Sequence, residues 1–236
     1  RLELERELRF RQEALERWEK FRSSLLLFMS ETLKRGLDES FYQRLLEHAA
    51  NIIPGADAAS IMTRRNDGRY AYVAAIGHEF SELRKVTFAP HEVFGLRNHN
   101  QPHIIHNVSS QNLEQLGRER SSALSRASEG KIIQTLLAIP VVLDGETVAS
   151  LSLDAYQKDA FSPEALEMAA AFGTQIGLLL QRLSLEQELT QRQSALEHWS
   201  VFRSRLIHFI NDMLAHSKGQ MGETFYQMLL QQAAEV

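Results

Sequence analysis

"TLLAIPVVLDGETVASLSLDAY" (residues 135–156) is the stretch that decides the fold. Two runs rich in Leu, Val, Ile and Ala flank Asp144-Gly145. A two-residue Asp-Gly loop between β-rich runs is a hairpin signal, because a type I′ turn needs left-handed backbone at both central positions. The stretch therefore predicts a pair of antiparallel strands. "SPEALEMAAAFGTQIGLLLQRL" (residues 162–183) follows and reads as an amphipathic helix. Ser162 caps it, Pro163 takes the first turn and Glu164 lies near the positive helix end. Its apolar stripe runs Phe172, Ile176, Leu180, Leu183.

Working outward, "AASIMTRR" (58–65) and "GRYAYVAAIG" (68–77) read as a second strand pair joined at "NDG". "QPHIIHNV" (101–108) is a short strand, and residues 80–97 are less regular. "QNLEQLGRERSSALSRASEG" (111–130) is polar, helical in part and then loop. "DESFYQRLLEHAANIIPGA" (38–56) opens the set with a helix capped by Asp38. Its stripe is Phe41, Leu45, Leu46 and Ala49, and Pro54-Gly55 stops it. Helix, strands and closing helix in this order predict an α+β domain, an antiparallel sheet with helices on one face.

"LLAIPVVLDGETVASLSLDAYQKDAFSPEALEMAAAFGTQIGLLLQ" (136–181) resembles the C-terminal half of a GAF domain: an apolar strand ending in Pro, a turn, a strand with small residues, a Phe-Ser-Pro-Glu step and a closing helix. "FYQRLLEHAANIIPGADAASIM" resembles that family's opening helix and first strand, and "NHNQPHIIHNVSS" its central strand. The resemblance spans about 145 residues. It implies a GAF-like central antiparallel sheet, a small-molecule pocket between the sheet and the loops and short helices over one face, and joining helices that pass strain to an output domain. Fold does not settle the ligand. Tyr70, Tyr72, Phe94, His103 and His106 are the candidate pocket residues.

A second feature is a repeat. "ALERWEKFRSSLLLFM" (14–29) returns as "ALEHWSVFRSRLIHFI" (195–210), and "FYQRLLEHAANI" (41–52) as "FYQMLLQQAAEV" (225–236). The chain begins with Arg and stops in mid-pattern, so it reads as a piece of a longer tandem protein with at least three such units. The expected parts are a coiled-coil signalling helix at 1–35, a GAF-like domain at 36–182, a linker helix at 183–217 that repeats 2–36, and the truncated start of a second domain at 218–236. Leu4, Leu8, Arg11, Leu15, Trp18, Arg22, Leu25 and Met29 follow steps of four and three, a heptad seam. The expected partner is a second copy, in a parallel homodimer whose seam contains Leu8, Leu15, Trp18, Leu25, Leu189, Leu196, Trp199 and Leu206. The closing-helix stripe and the seam resuming at Leu185 differ in frame by two residues, which calls for local unwinding or a change of face.

Net charge is −4, which gives no reason to expect nucleic acid. The absence of Cys excludes a covalently held bilin, thiolate catalysis and zinc–cysteine sites on this chain. The family's cyclic-nucleotide binders carry an acidic pair after Phe. Here Lys158 and Phe161 match, but Glu164-Ala165 stands where that pair belongs, so a cyclic nucleotide is disfavoured. His91, His99, His103 and His106 raise haem or a metal. Pro102 opposes a helix there, and in a strand His103 and His106 point to opposite faces. No metal site is expected, and haem is disfavoured. Ser121, Ser122, Ser125 and Ser128 with Arg118, Arg120 and Arg126 are an anion site or a polar loop, and the loop reading is preferred. No catalytic constellation emerges from the spacing. The sequence thus predicts a cytoplasmic, non-enzymatic sensor or relay module with no membrane span; a further reading is that it regulates a catalytic domain lying outside this chain. The alternative is a ligand-free spacer that holds a dimer.

Overall fold

The computed structural model describes residues 2–38, 40–97 and 101–216, with side chains described at 6, 8, 9 and 11–212 within those limits. His99, the side chain of Leu4 and the second-domain start expected at 218–236 lie outside the described residues. The chain divides into two units, residues 1–183 and 184–236.

In the first unit, α1 (Leu2–Arg35) ends where Gly36 takes a φ of 75°, the left-handed stop position that glycine occupies without strain. α2 (Phe41–Ile52) buries the expected Phe41, Leu45, Leu46 and Ala49. Its cap differs by two residues from the expectation. Ser40 is the flanking residue, while the Asp38 carboxylate accepts from the Ser40 backbone N–H at 3.0 Å and the Ser40 hydroxyl at 2.8 Å.

Six strands follow: β1 (Ala58–Arg64), β2 (Tyr70–Ile76), β3 (Thr87–Phe88), β4 (His103–His106), β5 (Thr135–Leu143) and β6 (Glu146–Ala155). They form one antiparallel sheet in the order β3-β2-β1-β6-β5-β4. The Asp144-Gly145 turn is as expected, with φ of 50° and 83°. The closing helix α5 (Pro163–His216) has its Ser162 cap, whose hydroxyl accepts from the Ala165 N–H at 3.2 Å.

One face of the sheet carries the main core. Ile61, Leu137, Ile139, Leu151 and Leu153 meet Phe41, Leu45 and Leu46 of α2, Phe172 and Ile176 of α5, and Phe21, Leu25 and Phe28 of α1. Two glycines let α5 lie directly on β5. A Cβ on Gly173 would stand 2.9 Å from the Pro140 carbonyl oxygen, and one on Gly177 would stand 2.5 Å from that of Val142. The α1–α5 approach is tied by Arg17, whose guanidinium pairs with Glu164 at 2.9 Å.

The opposite face is covered too, a layer that the family resemblance implied and the order of elements alone did not. α3 (Phe80–Leu83), α4 (Val108–Ala127) and two 3-10 turns (Pro90–Glu92, Phe94–Leu96) lie over it. The stretch from Ser121 to Ala127, read as loop, is therefore helix. α4 bends at Gly117, where φ is 74° and ψ is 173°, a conformation open to glycine. The anion reading of this segment loses two of its three cations. Arg120 pairs with Glu92, and Arg126 pairs with Glu82.

Of the expected closing-helix stripe, Phe172, Ile176 and Leu183 are buried, whereas Leu180 is half-buried and its neighbour Leu179 is buried instead; Leu185 and Leu189 beyond are exposed. α5 runs as one helix through Leu183, so the structure shows no unwinding where the frames differ. Among the described residues no helix is long and apolar enough to cross a membrane.

Candidate functional site

Beyond the irregularity at Val148, the strand β6 alternates from Ala149 to Ala155. Ala149, Leu151, Leu153 and Ala155 face the main core, so Ser150, Ser152 and Asp154 face the other side. β1 does the same, with Ser60 directly opposite Ser152 in the ladder. All four polar residues are buried, because α4 and the 3-10 turns roof this face. A polar floor sealed from water is costly unless its groups are matched.

The cavity above that floor is lined by Ser60, Met62, Tyr72, Ser152 and Asp154 below, and by residues including His78, Phe88, Phe94, Asn112 and Leu124 around and above. Its volume is about 40 Å³, room for a few waters at roughly 15 Å³ each.

His78 is brought over the sheet by Gly77, which has a φ of 69° and whose Cβ would stand 3.0 Å from that of Ala58. The His78 Nε2 lies 2.8 Å from the Asp154 Oδ2, and the two side chains are 3% and 5% exposed. The remaining atoms of the pair, His78 Nδ1 and Asp154 Oδ1, have no partner in the protein. Burial pushes the Tyr72 phenol well above its ordinary value, with the Asp154 charge adding to it, so Tyr72 is a neutral donor.

The roof is clamped by Arg120. Its Nη1 and Nη2 donate to the two Glu92 oxygens at 2.8 Å each, and Nη2 also donates to the Thr87 carbonyl at 2.7 Å. The Arg120 hydrogen bonds hold the Glu92 carboxyl at about 2. Gly95 sits so close to Ser150 that a Cβ there would meet the Ser150 Oγ at 2.2 Å.

Of the expected pocket residues, Tyr72 and Phe94 line the cavity. Tyr70 does not: it is buried beside it, and its hydroxyl donates to the Thr147 carbonyl at 2.6 Å. His103 and His106 lie on β4, away from this floor. His103 Nδ1 is 3.0 Å from the Gln101 carbonyl oxygen, and His106 is exposed, 3.7 Å from Asp159. Among the described residues no three His, Cys, Asp or Glu side chains gather as metal ligands. His78, Asp154, Ser60 and Ser152 were not singled out by the sequence. Their signal was the period-2 polar run of β6, which looks the same whether it faces water or a covered cavity.

The expected dimer seam divides in two. Leu15 is 71% and Leu196 68% exposed, and Leu8, Leu189 and Trp199 are likewise open. Leu25 is 4% exposed, inside its own domain, and has no surface left for a second helix. Trp18 is half-buried against the same core, and Leu206 is half-buried.

No curated protein matches the chain. Among solved structures it is similar to the phycoerythrobilin-bound GAF domain of a cyanobacterial phytochrome, at 15% identity and a TM-score of 0.54, covering 72% of this chain and 99% of that one. It is also similar to the GAF domain of an Acinetobacter phosphoenolpyruvate-protein phosphotransferase, at 16% identity and a TM-score of 0.52, covering 69% and 93%. A third is a domain assigned to a two-component sensor histidine kinase protein from Sinorhizobium meliloti 1021, at 22% identity and a TM-score of 0.50, covering 66% and 99%. These likenesses concern the fold. The profile of the GAF domain family matches residues 38–181, from Asp38 ahead of α2 to Gln181 in α5. That match spans more than half of the chain, and the chain belongs to the GAF domain family.

Proposed function

We propose that this chain is a non-catalytic sensory module that holds a small polar molecule over the β1–β6 floor and relays its presence through paired helices. The observation that carries the reading is the buried His78–Asp154 pair with one polar atom of each left unmatched beside a cavity. Such atoms cost stability unless water or a ligand satisfies them. Asp154 Oδ1 and the two serine hydroxyls make the floor rich in acceptors, which suits a molecule that presents N–H or O–H groups. Similar domains come from proteins named for sensing, a phytochrome and a sensor histidine kinase, which supports the relay role.

The relay is a parallel homodimer in the cytoplasm, joined through Leu8 and Leu15 and through their repeats Leu189 and Leu196, in a tandem array of such domains. The exposure of these leucines on otherwise charged helices supports it. A ligand-free spacer is the second reading. The small cavity, with Tyr72 and Phe94 filling its sides, favours it.

Native mass spectrometry of the purified protein separates the two. A retained mass at one per chain, lost in Asp154→Ala, supports the sensor. A protein at its sequence mass, unmoved in melting temperature by a panel of small amines, amides and polyols, supports the spacer.

A further inference from the structure

The two copies of the repeated helix carry the same aromatic face in two states. In α1, Phe21, Leu25 and Phe28 are buried. Part of the cover comes from α2: the Phe28 ring stacks on His48 at 4.9 Å and lies 6.4 Å from the Phe41 ring. In the second unit the counterparts are Phe202, Leu206 and Phe209, at the same spacing, and all three are half-exposed. The sequence that would cover them is also in this chain. Residues 225–236 repeat α2 at each of its four buried positions, with Phe225, Leu229, Leu230 and Ala233 standing for Phe41, Leu45, Leu46 and Ala49.

We infer that residues 225–236 dock on the Phe202–Leu206–Phe209 face of α5, as α2 docks on Phe21, Leu25 and Phe28 of α1. The occupant is this segment and not a second copy of the chain because the two surfaces are separate in the first unit. There, the face equivalent to Phe202 and Phe209 is turned wholly into its own domain, while Leu8 and Leu15 stay open. A helix end that buries three large apolar side chains gains most of its stability from such a partner. The inference rests on the repeat alone, and it stands whether or not the first domain binds a ligand.

Hydrogen exchange of the full chain tests it, with Leu229→Asp and Leu230→Asp introduced together and protein concentration varied. Exchange at residues 202–210 should quicken about ten-fold in the double variant and stay unchanged on dilution. Unchanged exchange across β5 and β6 verifies that the first domain remains folded in the variant. Equal exchange at 202–210 in the parent and the variant overturns the inference. So does protection that disappears on dilution and not on substitution, which would make a second copy the cover.

Discussion

His78 Nε2 and Asp154 Oδ2 stand 2.8 Å apart on the roofed face of the sheet, each side chain almost wholly cut off from solvent. Asp154 is anchored on the sheet, where its backbone oxygen accepts from the Asp57 N–H at 2.8 Å. His78 stands on the segment after β2. Their contact therefore joins the floor of the cavity to its wall.

Removing one partner leaves the other buried and unmatched. Asp154→Ala should lower stability by about 3–5 kcal/mol, read by urea denaturation. His78→Leu with Asp154→Leu should recover most of that loss. In the double variant any retained ligand should be absent, which separates a fold defect from a binding defect.

Two groups contribute separable phases to the response to acid. Burial holds the His48 imidazole below its ordinary 6.5, outweighing the Glu31 charge. Its stabilisation is whole above about pH 6.5 and is lost as the pH falls through the lower folded value. The Arg120 hydrogen bonds hold Glu92 at about 2 against an ordinary 4.5. That stabilisation is whole above about pH 4.5 and is lost on the way down through about 2. His48→Gln, the residue the repeat carries at 232, should remove the near-neutral phase of the stability profile. Arg120→Gln should remove the more acidic one.

Leu15 and Leu25 belong to one heptad pattern and should behave oppositely. Leu25→Ala should cost about 2–5 kcal/mol of domain stability. Leu15→Glu with Leu196→Glu should leave stability intact and turn a sedimenting dimer into a monomer. A parent protein that sediments as monomer at micromolar concentration would remove the dimer from the proposed mechanism.

Gly177→Ala drives a Cβ against the Val142 carbonyl oxygen, and should cost about 1–3 kcal/mol. Thr174→Ala, on the exposed side of the same helix, should cost far less. Thermal melts of the two variants measure the difference.

The main strands and the α5 cap were legible because local chemistry dictates them: Asp144-Gly145 for the turn, Ser162-Pro163 for the helix start, and the stripe from Phe41 to Ala49 for α2. The polar face of β6 was not, because Ser150, Ser152 and Asp154 look solvent-facing until the roof is known. The roof was hidden in turn. α4 buries only Val108, Leu116, Ala123 and Ala127, so its serines and arginines outweighed its apolar positions and its second half read as loop. Leu25 shows the reverse case: a correct period assigned to the wrong partner, since heptad spacing cannot tell a second helix from the helix's own domain.

The place where Gly173 and Gly177 press on β5 has a mechanical meaning. A contact made of backbone alone contains no rotamer that can turn to absorb a displacement. β5 is the ladder neighbour of β6, whose Ser152 and Asp154 lie in the cavity floor. A tilt of those strands would reach α5 without slack, as motion passes between two gears cut to mesh, and not as it passes through a spring.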